Sequence, residues 1–588
     1  MAHSIGPMEF VRAAWLGLRR ESSSSLHAMG LASLMHSGSN AQGTIDYALD
    51  DPYQPDGAQG DAICDGRFSL AGDQLIARDG TDIWDMLTPS RAFAEQLHEH
   101  GWLRDVIVAP AHDGKTEARR LVDTWIERHG RWNSFVWSSP VMSSRILNWL
   151  RSGEDLLGET GEPDDAIARR RSLLVRQARH LLKTLPLAED GRVRLRATIA
   201  VTATGLCLPR QANLQRAGLA ALASEVTRQI LPDGGHVSRA PQATTEALID
   251  LQGLVDIAEM ANIPVPTEIS RAINRLRPMV RFFQMADGGL AGFHGGGEFD
   301  KAAVEGTLTR ADEPIKPFGF APHSGYHRTE AGGATVLFDV GDAPRGALST
   351  EAHASALAIE FCTPGGRLVV NCGWHDAQTS DWREAVRATA AHSTLVLGEV
   401  SSSKILSGGW KRDLLGARLV APAGQVSARR NEGEMGIWLE GSQEGYRERY
   451  GLSHRRRIFL AADGGDLRGE DALFRPVTDG PPEDIEVRWP FAIRFHLHPS
   501  VKASLSRDNM SALLVQPNGD GWRFRTDGGP IALERSVYLA AGAPPQRATQ
   551  IVIHGDAEPF GAGDRPPNRV RWAFQRLGRI GGAVGGIE

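Results

Sequence analysis

Hydrophobic periodicity changes once along this chain, near residues 290–300, and that change restricts the fold to two differently built halves. Between about residues 85 and 285, apolar residues recur at three- and four-residue spacing, the signature of helices with one buried face. Examples are LLVRQARHLLKTL (173–185), VRLRATIAVTATGLCL (193–208), AGLAALASEVTRQIL (217–231), TEALIDLQGLVDIAEMA (245–261) and SRAINRLRPMVRFFQMA (270–286). Each ends near Gly, Pro or Asp, and the short polar turns between them imply helical hairpins stacked into a bundle or toroid. After LAGFHGGGEFD (290–300) the chain turns to short runs rich in β-branched and aromatic residues, among them GGATVLFDVG, ALAIEFCT, GGRLVVNCG, GIWLEGS, RRRIFLAADG and AIRFHLHP. Bounded by Gly, Asp and Pro, these read as antiparallel strands of a sandwich. Helices first and strands second point to separate domains, with the boundary inside 295–320.

The bulk properties exclude several classes. At 588 residues the chain exceeds what one hydrophobic core serves. Its formal charge of −6 rules out the generally basic surface of a nucleic-acid-coating protein. Cys64, Cys207, Cys362 and Cys372 are scattered without a CxxC pair, which argues against a disulfide framework or a cysteine-rich zinc site. No apolar run reaches the ~20 residues of a membrane-spanning helix. The first 25 residues read as an amphipathic helix without the order of an export signal, so a cytoplasmic location is the expectation. The GGG at 295–297 lacks the context of a phosphate loop, and no GxSxG elbow is present.

The stretch 351–400 concentrates candidate chemistry. His353 precedes a first strand (about 355–362), Asn371 ends a second (367–372), and His392 precedes a third (393–398). In an up-down-up meander these three residues meet at one sheet edge. The connection 373–391, with Trp374, His375, Asp376, Trp382, Arg383 and Arg387, has the length of a functional loop. Arginine clusters at 169–171, 192–196 and 455–457 would either line a groove for an acidic glycan or form solvated faces.

The run from His353 to Thr394, with RATAAHST at 387–394, resembles the signature of the heparinase II/III C-terminal domain, His392 matching its motif histidine. SGYHRTEAGGATVLFDVG (324–341), HRRRIFL (454–460) and IRFHLHP (493–499) fit the same sandwich. SSRILNWL (143–150) and QILPDGGHVSRAPQ (229–242) resemble the toroid half. The resemblance implies a multidomain α+β architecture: an N-terminal incomplete (α/α) toroid of helical hairpins over residues 1–300, then a C-terminal antiparallel β-sandwich over 301–588. It further implies a lyase that cleaves a uronate-containing acidic polysaccharide by β-elimination in the periplasm or cell envelope. Such a reaction needs a neutraliser for the uronate carboxylate, a base for the C5 proton and an acid for the leaving oxygen.

The family's structural zinc would fall on His353, Asn371 and His392, with Asn371 replacing a carboxylate, a weaker ligand for a dication. The family's toroid tyrosine is missing from DGGHVSRAPQATTE (233–246), as is the one before the histidine motif, and no asparagine neutraliser is evident in VRLRATIAV. Expected catalytic groups are therefore His353, His392, Asn371, His236 and Tyr326, and expected substrate contacts are Arg239, Arg328, Arg387, Trp374 and Trp382. The competing structural readings are a turn-capping role for His236, a packed strand position for Tyr326 and salt bridges for Arg239 and Arg328. Two other functions fit the same scaffold: a non-catalytic glycan-binding protein and a zinc-dependent glycan hydrolase.

Overall fold

The computed structural model describes residues 7–28 and 45–579, apart from 79–80, 159–160, 162, 311–313, 422–425, 477–486, 543 and 560–565. Residues 1–6 of the expected N-terminal helix lie outside the described residues, and the helix itself spans Pro7–Ala28. The helical half is organised around Arg192–Cys207, whose positions Ala197 to Cys207 are all buried. It packs against Ser139–Arg151, Asp164–Thr184, Ala212–Gln229 and Pro241–Met260. Small residues allow this: a Cβ on Gly218 would sit 2.8 Å from the Thr202 hydroxyl, so the two helices meet backbone to backbone. A helix buried on all sides carries little amphipathic pattern, as the Ala- and Thr-rich sequence of this one shows.

The strand half is a sandwich of an eight-stranded and a nine-stranded sheet among the described residues. Their facing sides share a core in which Phe361 meets Trp522 edge to face at 5.4 Å and Phe495 meets Trp572 at 4.7 Å. The nine-stranded sheet is buried on its other side too. Along Ala334–Asp339, Val336 and Phe338 point into the sandwich while Leu337 joins the helical core. Ile359–Thr363 does the same, with Phe361 facing one way and Cys362 the other. The period-two alternation of a strand thus feeds two cores at once. The helical character ends with Lys301–Leu308, which packs on the toroid side, and the first sandwich strand is Phe320–Ala321.

A buried ion pair joins the halves. Arg239, from the loop between two toroid helices, pairs with Asp339 at the end of a sandwich strand. It also donates to the carbonyls of Ser324 (2.6 Å), Gly325 (3.1 Å) and Asp342 (3.1 Å). Asp339 further accepts from Ser355 Oγ at 2.7 Å and lies 3.5 Å from His294. Burial pushes the Asp339 carboxyl up, but Arg239 and His294 outweigh it and hold the group well below the usual carboxylate range. Gly341 allows the approach, because a Cβ there would collide with the Arg239 guanidinium.

Truncating Arg239→Ala strands the Asp339 charge and should cost about 3–5 kcal/mol of stability, read from urea unfolding near neutral pH. The depressed carboxyl contributes stability above its unfolded value of about 3.9, so the wild-type advantage should disappear as pH falls below that point. A loss below about 1 kcal/mol would mean the pair behaves as a surface contact.

Candidate functional site

The expected meander does not form. Ile359–Thr363 and Gly366–Val370 pair antiparallel, but Leu395–Leu397 pairs with neither. It lies end to end with Gly366–Val370 along one edge of Trp489–Leu497, which pairs with Val370 through His496 and with Leu395 through Ile493. This collinear arrangement still brings the turn before Leu395 onto the end of the earlier strand, and the Ser393 amide donates to Asn371 Oδ1 at 3.0 Å.

His353 and His392 meet, Nδ1 to Nε2, at 3.1 Å, and the other nitrogen of His392 lies 2.8 Å from the Ala388 carbonyl oxygen. Asn371 does not join them. Its amide nitrogen donates to Glu360 Oε1 at 3.2 Å, because that buried carboxylate needs donors. The three are 3, 1 and 1 % exposed, so they are part of the interior. Burial, reinforced for His353 by its neighbour His392, lowers both imidazoles well away from their ordinary range and keeps them neutral. His353 reaches only a recess of about 20 Å³, shared with Arg192, Trp374, Asp376 and Arg387, which is room for a single water.

As a zinc site this donor set does not fit. Two imidazoles converge, but the amide oxygen of Asn371 is engaged by a backbone N–H. Among the described residues no group of three His, Cys, Asp or Glu side chains is placed to hold a metal.

The other expected site residues are mostly structural in placement. His236 is buried between Ser238 Oγ (2.7 Å) and Gln229 Oε1 (2.9 Å). Tyr326 is fully buried and donates to the Arg239 carbonyl at 2.9 Å. Arg239 is consumed by Asp339, and Arg328 by the carbonyls of Phe282 (2.7 Å) and Gln284 (2.6 Å) and by Glu330. Arg387 donates to the carbonyls of Ala352 (2.8 Å) and Ser349 (2.9 Å). Arg170 and Arg456 are likewise buried against Asp123 and Asp471. Trp382, 37 % exposed, is not among the residues lining the cleft, whereas Trp374 is.

That cleft, about 1040 Å³, opens between the halves. The sandwich side contributes Glu351 and the loop residues Trp374, His375, Asp376 and Gln378; Gln96 of the toroid donates to the Asp376 carbonyl at 2.6 Å and holds the loop in place. The toroid side contributes Tyr53, Glu99, Asn148, Arg192 and Arg196. Glu99 ends the helix Arg91–Glu99, which stops because His100 adopts a left-handed φ of 59° and is fixed by a 2.8 Å hydrogen bond from Trp149 Nε1. Arg192 and Arg196, four residues apart, share a helix face. Arg192 is pinned by two 2.7 Å bonds to Glu246.

Arg196 makes no hydrogen bond among the described residues and approaches Glu246 only at 4.0 Å. Burial pushes the Glu99 carboxyl up to about 7, with Arg196 opposing and Asp376 adding. Burial, aided by Glu246 and Asp250, raises the Tyr53 phenol to about 12, with Arg151 and, less strongly, Arg196 opposing. Arg104 stacks over the Tyr53 ring at 4.7 Å. Asn148 spends its amide on the Glu99 carbonyl at 2.9 Å. None of Tyr53, Glu99 or Arg196 was marked as a catalytic group by its sequence context. The only available signal was the i, i+4 spacing of Arg192 and Arg196.

Residues 313–573 match the family described as Heparinase II/III-like, C-terminal. A curated relative, FtsZ-localized protein C of Caulobacter vibrioides, is 35% identical over 530 residues, covering 90% of this chain and 89% of its own. The chain belongs to the heparinase II/III family. Its fold is that of Heparinase III, with a TM-score of 0.67 at 16% identity over 99% of this chain and 93% of that one. A mutant of the heparan sulfate lyase HepC from Pedobacter heparinus gives a TM-score of 0.59 at 14% identity over 98% and 92%. At the family level this heparinase II/III-like chain is polysaccharide-lyase-like. No helix among the described residues is long and apolar enough to cross a membrane.

Asn371→Asp would set a second carboxylate against Glu360, which burial has already raised to about 7. The variant should melt below wild type, by a margin that widens between about pH 5 and pH 8 as both groups ionise. A zinc-dependent rise in its melting temperature would instead show that the imidazole pair accepts a metal.

Proposed function

We propose that the cleft binds a uronate-bearing polysaccharide and cleaves it by β-elimination, with Arg196, Glu99 and Tyr53 as the acting groups. The observation that carries this reading is the meeting of three complementary groups on the toroid side. They are a guanidinium that makes no hydrogen bond and only a long 4.0 Å ion pair with Glu246, a carboxyl raised to about 7 and a phenol that stays protonated. Arg196 would pair with the substrate carboxylate and stabilise the charge that builds there as C5 loses its proton. Glu99, partly ionised near neutrality, would take that proton. Tyr53 would donate its own to the departing glycosidic oxygen as the C4–O bond breaks and the C4–C5 double bond forms. The proton taken up by Glu99 then passes through water to the phenolate, which restores both groups with no net gain or loss of protons.

A carboxyl raised to about 7 is a much stronger base than an ordinary carboxylate and still available at working pH. It also carries a stability cost. A folded value above the unfolded one means that stability is lost as pH rises through about 7, so Glu99→Gln should gain thermal stability relative to wild type at high pH and show no gain at low pH.

Near-ultraviolet absorbance of unsaturated ends is the direct assay. Glu99→Gln and Arg196→Ala should each lower the rate by about 10²–10³-fold without unfolding the protein. The wild-type rate should climb with pH through about 7. Full activity in Glu99→Gln would refute the assignment.

A second reading rests on the whole-chain identity to a protein named for its localisation with FtsZ. Under it the chain sits at FtsZ assemblies and holds glycan without cutting it. A fluorescent fusion that co-localises with FtsZ, together with polysaccharide binding and no unsaturated product, would favour this reading over the first.

A further inference from the structure

The cleft is lined by ten carboxylates and only five guanidiniums, Arg104, Arg151, Arg192, Arg196 and Arg383, among the described residues. Most of these arginines are already matched. Arg151 pairs with Asp250 at 2.6 Å, Arg104 with Asp51 at 3.3 Å, Arg192 with Glu246 at 2.7 Å, and Arg383 with Glu351. Partners behind the wall do not reverse the balance. Arg91, Arg194 and Arg228 answer Glu95 and Asp190, but Asp51 and Asp250 add to the opposite side. Partial protonation of Glu99, raised to about 7, and of Asp105, raised to about 6, together removes less than one charge from the excess near neutrality. Low-dielectric walls concentrate such a field, and like charges brought together in a binding site oppose binding.

Resting on the lyase reading of this cleft, we infer that its substrate is a sparsely charged glycan. One carboxylate meets Arg196, and the sugars on either side are neutral or amine-bearing. Densely anionic chains, such as sulfated glycosaminoglycans or polyuronates, are disfavoured. The rest of the lining suits hydroxyl-rich sugars: Gln54, Ser69, Gln242 and Ser380 reach solvent in the cleft and offer neutral donors and acceptors. Tyr53 and Phe299, both half-buried, offer ring surface.

The test compares gellan, in which uronates are separated by neutral sugars, with heparan sulfate and polyguluronate at low ionic strength. Turnover or binding of gellan should exceed that of either polyanion by roughly tenfold or more, and added salt should narrow the gap by screening repulsion. The variant Glu189→Gln, which removes an exposed lining carboxylate outside the proposed chemistry, should raise polyanion binding about twofold or more and leave gellan within about twofold. Preference for heparan sulfate, with a rate that falls as salt rises, would overturn the inference while leaving the lyase reading intact. If no polymer gains unsaturated ends, calorimetric binding of the same polymers decides. Gellan bound and heparan sulfate excluded would sustain the substrate class without the chemistry, whereas binding of neither, or tighter binding of heparan sulfate, would sink it.

Discussion

The buried contact between Arg239 and Asp339 is the constraint on which the rest depends. A guanidinium from the helical half is desolvated among backbone carbonyls of the strand half, and only a carboxylate at that point makes the burial tolerable. The contact sets the register in which the outer face of the nine-stranded sheet meets the helices, so that Tyr326, Leu337 and Cys362 complete an otherwise helical core. Once the halves are locked in this way, the helix ends bearing Glu99 and Arg196 stand across a gap from the 374–378 loop. The cleft follows from that joint.

The architecture was legible because it rests on periodicity. Segments 173–185 and 270–286 repeat at helical spacing and lie within Asp164–Thr184 and Thr267–Phe283, apart from the last few residues. Val336, Leu337 and Phe338 alternate as a strand does, although the sequence did not reveal that Leu337 faces a second core. The site was far less legible. His353 and His392 do come together, but they pack in the interior, because sequence spacing gives topology and not solvent access. Asn371 lies beside them in the chain path, yet its amide turns to Glu360, a partner that no spacing rule announces.

The groups lining the open space were missed for a related reason. Tyr53 sits in irregular chain before a short helix, and Glu99 is one of several acidic and histidine residues in EQLHEHGW. Their character comes from desolvation and from Arg196, neither of which a linear pattern encodes. Arg192 and Arg196, weighed between groove and solvated face, line the groove, and Arg170 and Arg456 are structural. The family fold is therefore retained, and the proposed reaction is placed in the open cleft and not at the conspicuous histidine motif, which is sealed in the interior.

Crystallography of the Glu99→Gln variant soaked with a gellan-derived oligosaccharide tests this placement most directly. The expected result is a uronate carboxylate within hydrogen-bond distance of Arg196, with C5 facing position 99 and the glycosidic oxygen facing Tyr53. Sugar bound elsewhere on the surface, or a carboxylate held by the His353 and His392 recess instead, would contradict it.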